Sequence, residues 1–256
     1  MNLIFDSHAH YDDHAFYKDR EEILSGLLKN GVDKVMNISA KLEDIEKVVS
    51  LANNYDFIWA SVGVHPSEIY ELKKEDLKVV SDALSNSKVK AIGEIGLDYH
   101  YDDTDKIKQA DWFEMQIELA KKNNLPIVVH SREAAADTLD IIKQTHADSV
   151  GGVIHCFSYE KEMAKIYLDM GFYIGVGGVV TYKNARKLKE VVKYMPMEKM
   201  LLETDCPYLA PTPHRGERND SSMIKFVVSE ISGLKGMDED YIRKVTNENA
   251  QRLYKI

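Results

Sequence analysis

The sequence contains little cysteine, and this scarcity limits the kind of protein that it encodes. Only Cys156 and Cys206 occur among 256 residues, too few for a disulfide framework and consistent with a reducing compartment. No apolar run reaches the roughly 18 residues that indicate a membrane span. The first ten residues, MNLIFDSHAH, lack the basic and then apolar pattern of a signal peptide. We therefore expect a cytoplasmic protein with no membrane contact.

Basic residues are fewer than acidic residues. The chain has 33 Lys and Arg residues against 42 Asp and Glu residues, a formal net charge of −9. Proteins that coat long duplex DNA usually carry a basic surface, which this composition does not favour. A nucleic-acid substrate would therefore be held through few phosphates, near an end or on a single strand, and bound metal would neutralise part of the acidic excess.

A Gly-rich phosphate loop is missing after the first apolar segment, which argues against a doubly wound nucleotide-binding sheet. Instead, apolar, β-branched segments alternate with segments of helical spacing along the whole chain, of which 44% is hydrophobic. This alternation predicts an α/β protein, a (β/α)8 TIM barrel, with residues 1–256 in one domain. The predicted strands are Leu3–Phe5, Lys34–Ile38, Phe57–Val62, Val89–Ile95, Pro126–His130, Gly152–Cys156, Phe172–Val176 and Met200–Glu203. The predicted helices are Arg20–Asn30, Leu42–Asn53, Glu75–Ser85, Lys106–Asn123, Glu133–His146, Glu160–Met170, Asn184–Tyr194, Ser222–Ser232 and Asp238–Tyr254.

Metal-binding side chains stand at or near the ends of five of these strands. Imidazoles and carboxylates hold catalytic divalent metals, and the carboxyl ends of barrel strands converge on one mouth. Each residue alone has an ordinary explanation, such as a core histidine or a paired carboxylate. Because six such residues lie together at or near the carboxyl ends of the predicted strands, the sequence predicts a two-metal hydrolytic centre instead. The residues are His8, His10, Glu94, His130, His155 and Asp205.

Several motifs occur in a characteristic order along almost the whole chain: SHAHYDD, GVHP, GEIGLDY, PIVVHSRE, IHCFS, GVVTYKNA and ETDCPYLAP. Together they resemble the TatD family of metal-dependent deoxyribonucleases. The resemblance implies an amidohydrolase-like barrel with two divalent cations. By motif, the first metal would be held by His8, His10, Glu94 and Asp205, and the second by Glu94, His130 and His155, with Glu94 bridging.

One departure from the family pattern is visible. After HRGERND the family often has a proline, whereas this chain has Ser221. The difference falls at the end of Cys206–Ser221, a proline-containing segment that we expect to form a loop over the mouth.

The expected reaction follows from these ligands. Two metals that share a water lower its pKa and clamp both oxygens of a displacement at phosphorus. Glu94 has two oxygens with which to bridge, and Asp205 is placed both to ligate a metal and to accept the proton of the attacking water. We therefore expect Glu94 and Asp205 to be the catalytic residues of a phosphodiester hydrolase.

Contacts to substrate are predicted for four further residues, each with a structural alternative. Arg132 and Arg215 would bind phosphate or be solvated surface arginines. His65 would donate to a phosphate or cap a turn before Pro66. Tyr99 would stack on a base or belong to the core.

Other functions remain open at this level. An amidohydrolase, a phosphotriesterase- or lactonase-like enzyme and a non-enzymatic metal-binding module are the alternatives. Many amidohydrolase barrels bridge their metals with a modified lysine on the fourth strand, where this chain has Glu94, and this favours the nuclease. The ligand set accepts Mg, Mn, Zn, Fe or Co. We expect a monomer without an obligate protein partner that acts on DNA as an exonuclease at free ends or single strands.

Overall fold

The computed structural model describes residues 2–256. Eight parallel strands form one sheet in which neighbours follow chain order from β1 to β8, with helices between them, as in a (β/α)8 barrel. The strands are β1 Ile4–Ala9, β2 Val32–Ile38, β3 Ile58–Val62, β4 Val89–Asp98, β5 Ile127–Arg132, β6 Gly152–Ile154, β7 Tyr173–Val176 and β8 Met200–Leu202. The α-helices are α1 Arg20–Gly26, α2 Ile45–Asn54, α3 Leu77–Ala83, α4 Lys106–Asn123, α5 Ala135–Gln144, α6 Lys161–Asp169, α7 Arg186–Tyr194, α8 Ile224–Lys235 and α9 Glu239–Tyr254.

The barrel closes where the first and last strands meet. Ala9 and Cys206 form a parallel bridge. The N–H of Asp205 donates to the carbonyl oxygen of His8 at 2.9 Å, and the N–H of His10 donates to that of Cys206 at 2.8 Å. Backbone pairing at the seam therefore sets the positions of three predicted ligands.

The inside of the barrel is packed with side chains, as in other barrels of this type. A buried cluster joins Phe5, Val128 and Leu201 from the strands to Leu253 and Tyr254 of α9. A second, larger cluster lies between the strands and the surrounding helices. The C-terminal helix thus completes the core that supports the strands.

Several boundaries differ from the predicted ones where polar residues interrupt the apolar pattern. β1 extends to Ala9 rather than ending at Phe5, and β4 extends to Asp98 rather than Ile95. Both strands continue because the backbone stays paired with the neighbouring strand beyond these polar residues, with a register irregularity between Asp6 and Ala9 in β1. β6, in contrast, ends at Ile154, before His155.

Some predicted helices begin or end in tighter turns. The segments 28–30, 42–44, 74–76 and 221–223 are 3-10 turns beside α1, α2, α3 and α8. Such turns are common where a helix begins or ends. Within residues 2–256, no helix has the length and apolar character needed to cross a membrane.

Candidate metal centre

A cleft of about 860 Å³ opens at the carboxyl ends of the strands. Most of the predicted metal ligands line it, and His8 lies fully buried beneath them. Each ligand stands in, or directly after, a strand or its short extension: His8 in β1, His10 after it, Glu94 in β4, His130 in β5, His155 after β6 and Asp205 beyond β8.

One half of the centre brings together four donors. Nε2 of His8 lies 3.1 Å from Nε2 of His10 and 3.3 Å from Oε2 of Glu94. Oδ1 of Asp205 lies 3.4 Å from Nε2 of His10 and 3.6 Å from Nε2 of His8. These are the four residues predicted for the first metal, and their donor atoms face one another.

The other half is built on the second oxygen of Glu94. Oε1 lies 2.8 Å from Nδ1 of His130 and 3.7 Å from Nε2 of His155. Glu94, His130 and His155 form one compact group of donor atoms, and His8, His10 and Glu94 form another. The two oxygens of Glu94 thus face different histidine sets.

The outer nitrogens of His10 and His130 are hydrogen-bonded to oxygen atoms, and that of His155 lies within ion-pair distance of a carboxylate. Nδ1 of His10 lies 2.8 Å from the carbonyl oxygen of Ile38, and Nε2 of His130 lies 3.1 Å from Oδ2 of Asp98. Nδ1 of His155 lies 3.2 Å from Oε2 of Glu203. Partners of this kind fix the tautomer and orientation of metal-binding histidines.

Sequence reasoning missed the roles of Asp98 and Glu203. Glu203 is fully buried directly after the apolar strand β8, where a carboxylate is costly without a partner. A carboxylate next to an apolar segment is the sequence feature that could have identified it. Its Oε1 also accepts from the N–H of Cys156 at 2.7 Å. A Cβ at Gly175 would lie 2.3 Å from Oε2, so the glycine leaves room for this carboxylate.

The glycine between Glu94 and Asp98 is also needed. Gly96 has φ +145°, and a Cβ there would lie 1.9 Å from the carbonyl oxygen of His130. Only glycine lets β4 approach β5 this closely, which places Glu94 and Asp98 on either side of the His130 imidazole.

The cluster attracts positive charge. Burial lowers the pKa of His155, but the charges of Glu203 and Glu94 outweigh it and raise the pKa to about 10. Burial likewise lowers the pKa of His10, and its hydrogen bond with Asp205 raises it to about 9. Burial alone would raise the pKa of Glu94, yet the surrounding imidazoles hold that pKa well below its usual range.

The donor set fits divalent metal ions. Buried carboxylates and imidazoles place donor atoms within 4.8 Å of one another. Nδ1 of His8 is buried without a hydrogen-bond partner, so its ring is held mainly by packing and by its stacking on His155, with ring centroids 3.5 Å apart. These residues are the ones that would hold metal.

His65 lies beside the cluster but is not one of the six predicted metal ligands. Its Nδ1 accepts from the N–H of Ser67 at 3.1 Å, so in the neutral ring the proton is on Nε2, which lies 3.7 Å from Oε1 of Glu94. Burial and the charge of His130 lower the pKa of His65 to about 3. His65 therefore presents a neutral N–H donor to the cleft and also caps the turn that begins at Pro66.

Of the other three residues predicted to contact substrate, one lines the cleft and two do not. Arg132 is exposed, lines the cleft and is the last residue of β5 rather than lying beyond it. Tyr99 and Arg215 are not among the residues that line the cleft. The Tyr99 hydroxyl donates to Asp137 at 2.8 Å, and the Arg215 guanidinium lies 4.4 Å from the centroid of the Tyr182 ring.

The loop after β8 reaches the mouth through Tyr208 and Leu209, which line the cleft. At its end, Ser221 donates from Oγ to Oδ2 of the fully buried Asp6 at 2.5 Å. Asp6 also accepts from the N–H and the hydroxyl of Thr204, at 3.0 and 2.6 Å. The serine at the position of the family's frequent proline therefore ties the loop to β1, two residues before His8.

Comparison with known proteins agrees with this geometry. Residues 5–255 match the family described as TatD related DNase. The chain belongs to the TatD family. Its relatives include the metal-dependent hydrolase YabD of Bacillus subtilis, 41% identical over 254 residues, covering 99% of this chain and 100% of YabD. The Escherichia coli metal-dependent hydrolase YcfH is 36% identical over 260 residues, covering 99% of this chain and 96% of YcfH.

The TatD fold is equally clear in solved structures. The crystal structure of YjjV, a TatD homologue from Escherichia coli, superposes with a TM-score of 0.94 at 30% identity, covering 99% of this chain and 98% of that one. The predicted barrel and family are thus confirmed, and this TatD chain is a metal-dependent hydrolase.

Proposed function

We propose that this TatD-family protein hydrolyses phosphodiester bonds of DNA with two divalent cations, acting as an exonuclease on single strands or free ends. The observation that carries the proposal is the position of Glu94. Its Oε2 faces His8 and its Oε1 faces His130, with O–N distances of 3.3 and 2.8 Å. A carboxylate between two imidazole sets can ligate two metals at once, one through each oxygen.

The chemistry divides among the residues of the cleft. When bound, the metals would lower the pKa of a water molecule and neutralise charge on the phosphoryl oxygens. Asp205 is ionised, because its hydrogen bond with His10 and the nearby imidazoles outweigh the effect of burial and lower its pKa. Its carboxylate accepts the proton of the attacking water.

Two residues of the cleft suit the developing charge on a phosphoryl group. The neutral Nε2–H of His65 donates a hydrogen bond to a non-bridging oxygen, and the exposed guanidinium of Arg132 offers a bidentate contact. The family description as TatD related DNase supports phosphodiester over amide or lactone substrates.

A metal-reconstitution assay tests the proposal. Chelated protein would be supplied with Mg, Mn, Zn, Fe or Co and assayed on end-labelled single- and double-stranded oligonucleotides, beside amide, lactone and phosphotriester substrates. We expect stepwise release of nucleotides from single strands, slower attack on blunt duplex, and no activity after chelation. Faster turnover of an amide or lactone than of any oligonucleotide would refute the nuclease assignment and leave the metal centre intact.

The role of Arg132 is tested by Arg132→Ala. We expect weaker oligonucleotide binding with unchanged metal content, because Arg132 lines the cleft and a guanidinium is not a metal ligand. Arg252→Ala, an exposed arginine on α9, is the control. Equal affinity of wild type and Arg132→Ala would remove this contact from the proposal.

A further inference from the structure

A second depression adjoins the cleft of the candidate metal centre. It is a groove of about 1200 Å³ between residues 17–22 and one face of α2, with Tyr55 after the helix. Tyr17 and Lys47 line both the cleft and the groove. A polymer whose scissile bond lies in the cleft therefore has a surface on which to continue past Tyr17.

Tyr17 stands out at this junction. Its side chain is 60% exposed, although large aromatic residues usually bury most of their surface. The guanidinium carbon of Arg20 lies 5.1 Å from the centroid of its ring. The guanidinium lies over one face of this mostly exposed ring, so an unpaired base would stack on the other face while the guanidinium holds its phosphate.

Arg20 is a cation of the groove that no carboxylate of the described residues neutralises. Among residues 2–256 it has no carboxylate partner, and its Nη2 donates weakly, at 3.4 Å, to the carbonyl oxygen of Asp12. Its Nε is buried without a hydrogen-bond partner. Lys47, in contrast, is paired with Asp44 at 2.7 Å, and Asp19 is paired with Arg218.

The charge of the groove limits what it can hold. Its lining includes as many carboxylates, Asp19, Glu21 and Glu22, as cations, Lys18, Arg20 and Lys47. A long polyphosphate would not be attracted to such a surface. A contact with one base and one phosphate fits it, and a stacked base must be unpaired.

We propose that Tyr17 and Arg20 form a nucleotide subsite that binds one base and its phosphate when the scissile phosphate of a single strand lies at the metal centre. This inference rests on the proposed function and adds to it a site at which single strands are distinguished from duplex. It explains how a protein of net charge −9 favours single strands without a basic groove.

The test measures affinity as a function of strand length. Metal-loaded protein would be titrated with phosphorothioate oligothymidylates of increasing length. For wild type we expect a step in affinity at the length that reaches Tyr17. Tyr17→Ala should remove that step, a loss of about 5- to 140-fold, the range for one base–aromatic stack. Tyr17→Phe should retain it, since the ring face is preserved.

Arg20→Ala gives an independent readout. It should make the slope of log affinity against log salt shallower by about 0.7, the value for one phosphate of a single strand. Tyr17→Ala should leave that slope unchanged, because stacking involves no counterion release. Tyr241→Ala is the matched control: Tyr241 is 44% exposed and lies in α9, next to Asp240, which binds Asn2 at the opposite end of the barrel.

The outcomes separate this inference from the proposed function. A length-dependent step that persists in Tyr17→Ala, or equal weakening at every length, would overturn the subsite while DNA cleavage stood. An unchanged salt slope in Arg20→Ala would exclude its phosphate contact. Wild-type protein that hydrolyses small esters but neither binds nor cuts oligonucleotides would overturn both proposals.

Discussion

At the residue scale, Glu94 is the side chain that joins the two halves of the candidate metal centre. It is 4% exposed and lies within contact distance of His8, His130, His155 and His65. No other carboxylate of the described residues 2–256 belongs to two candidate metal groups. Its charge therefore offsets the repulsion that two neighbouring cations would exert on each other.

Glu94→Gln tests this dependence. The substitution keeps the shape and removes the charge, so we expect loss of at least one metal and a large fall in turnover with the fold intact. Elemental analysis of the purified variant and its circular dichroism spectrum provide the measurement. A variant that kept two metals and a near-normal rate would show that Glu94 is not the bridge.

Ser221→Ala tests the tie between the loop and β1. The substitution removes the hydroxyl that donates to Asp6 and accepts from Tyr11 at 2.8 Å. We expect the free energy of unfolding to fall by about 1–3 kcal/mol, because a buried carboxylate loses a donor. Denaturant titration measures the change, and Ser222→Ala, in the next residue, is the control. Equal midpoints for the two variants would contradict the prediction.

At the element scale, the C-terminal helix α9 supports the end of the barrel away from the metal centre. Tyr254 is almost fully buried, its ring centroid lies 5.9 Å from that of Phe5, and its hydroxyl donates to the carbonyl oxygen of Ser7 at 3.3 Å. The helix thus contributes to the core on which β1 rests, although it supplies no ligand.

Tyr254→Ala should destabilise the protein by about 3–5 kcal/mol, as expected when a large buried aromatic leaves a cavity. Chemical denaturation measures the loss. Tyr241→Ala, on the exposed face of the same helix, should change stability by less than about 0.5 kcal/mol. If both variants unfolded at the same denaturant concentration, α9 would not hold the barrel in this way.

At the scale of the whole molecule, metal binding, proton binding and folding are linked. The raised pKa values of His10 and His155, about 9 and about 10, mean that both imidazoles carry a proton near pH 7 in the metal-free protein. A metal ligand must present a free lone pair. Metal therefore competes with protons for the same nitrogens.

We expect metal binding near pH 7 to release protons. Raising the pH from 7 towards 9 removes the competing proton, so affinity should rise about tenfold per pH unit for each proton displaced. Calorimetry in two buffers of different ionisation enthalpy measures the release. Identical heats in both buffers would show that the ligands are already deprotonated.

Metal removal should also lower thermal stability. An ion that binds only the folded state stabilises it by about 2.7 kcal/mol at a hundredfold excess over its dissociation constant. Thermal unfolding with and without chelator, followed by addition of each metal, measures the shift. Unchanged melting temperatures would mean that the cluster holds no metal under these conditions.

The amino-acid sequence by itself determined the alternation of strands and helices and the residues that form the candidate metal centre. Both are local properties: apolar segments with β-branched residues form buried parallel strands, and donor residues next to them lie at the mouth. The same local reading ended β1 at Phe5 and β4 at Ile95, too early, because His8 and Asp98 interrupt the apolar pattern although the backbone remains paired.

Only the tertiary structure decided which side chains meet. It placed Glu203 beside His155 and Asp98 beside His130. The residues of each pair are more than 30 positions apart in the sequence. Tyr99, which the sequence predicted to contact substrate, does not line the cleft, whereas Tyr17, which was not predicted, does. Such contacts depend on strand register, loop path and packing, and these are settled by interactions among distant segments that no local pattern of residues contains.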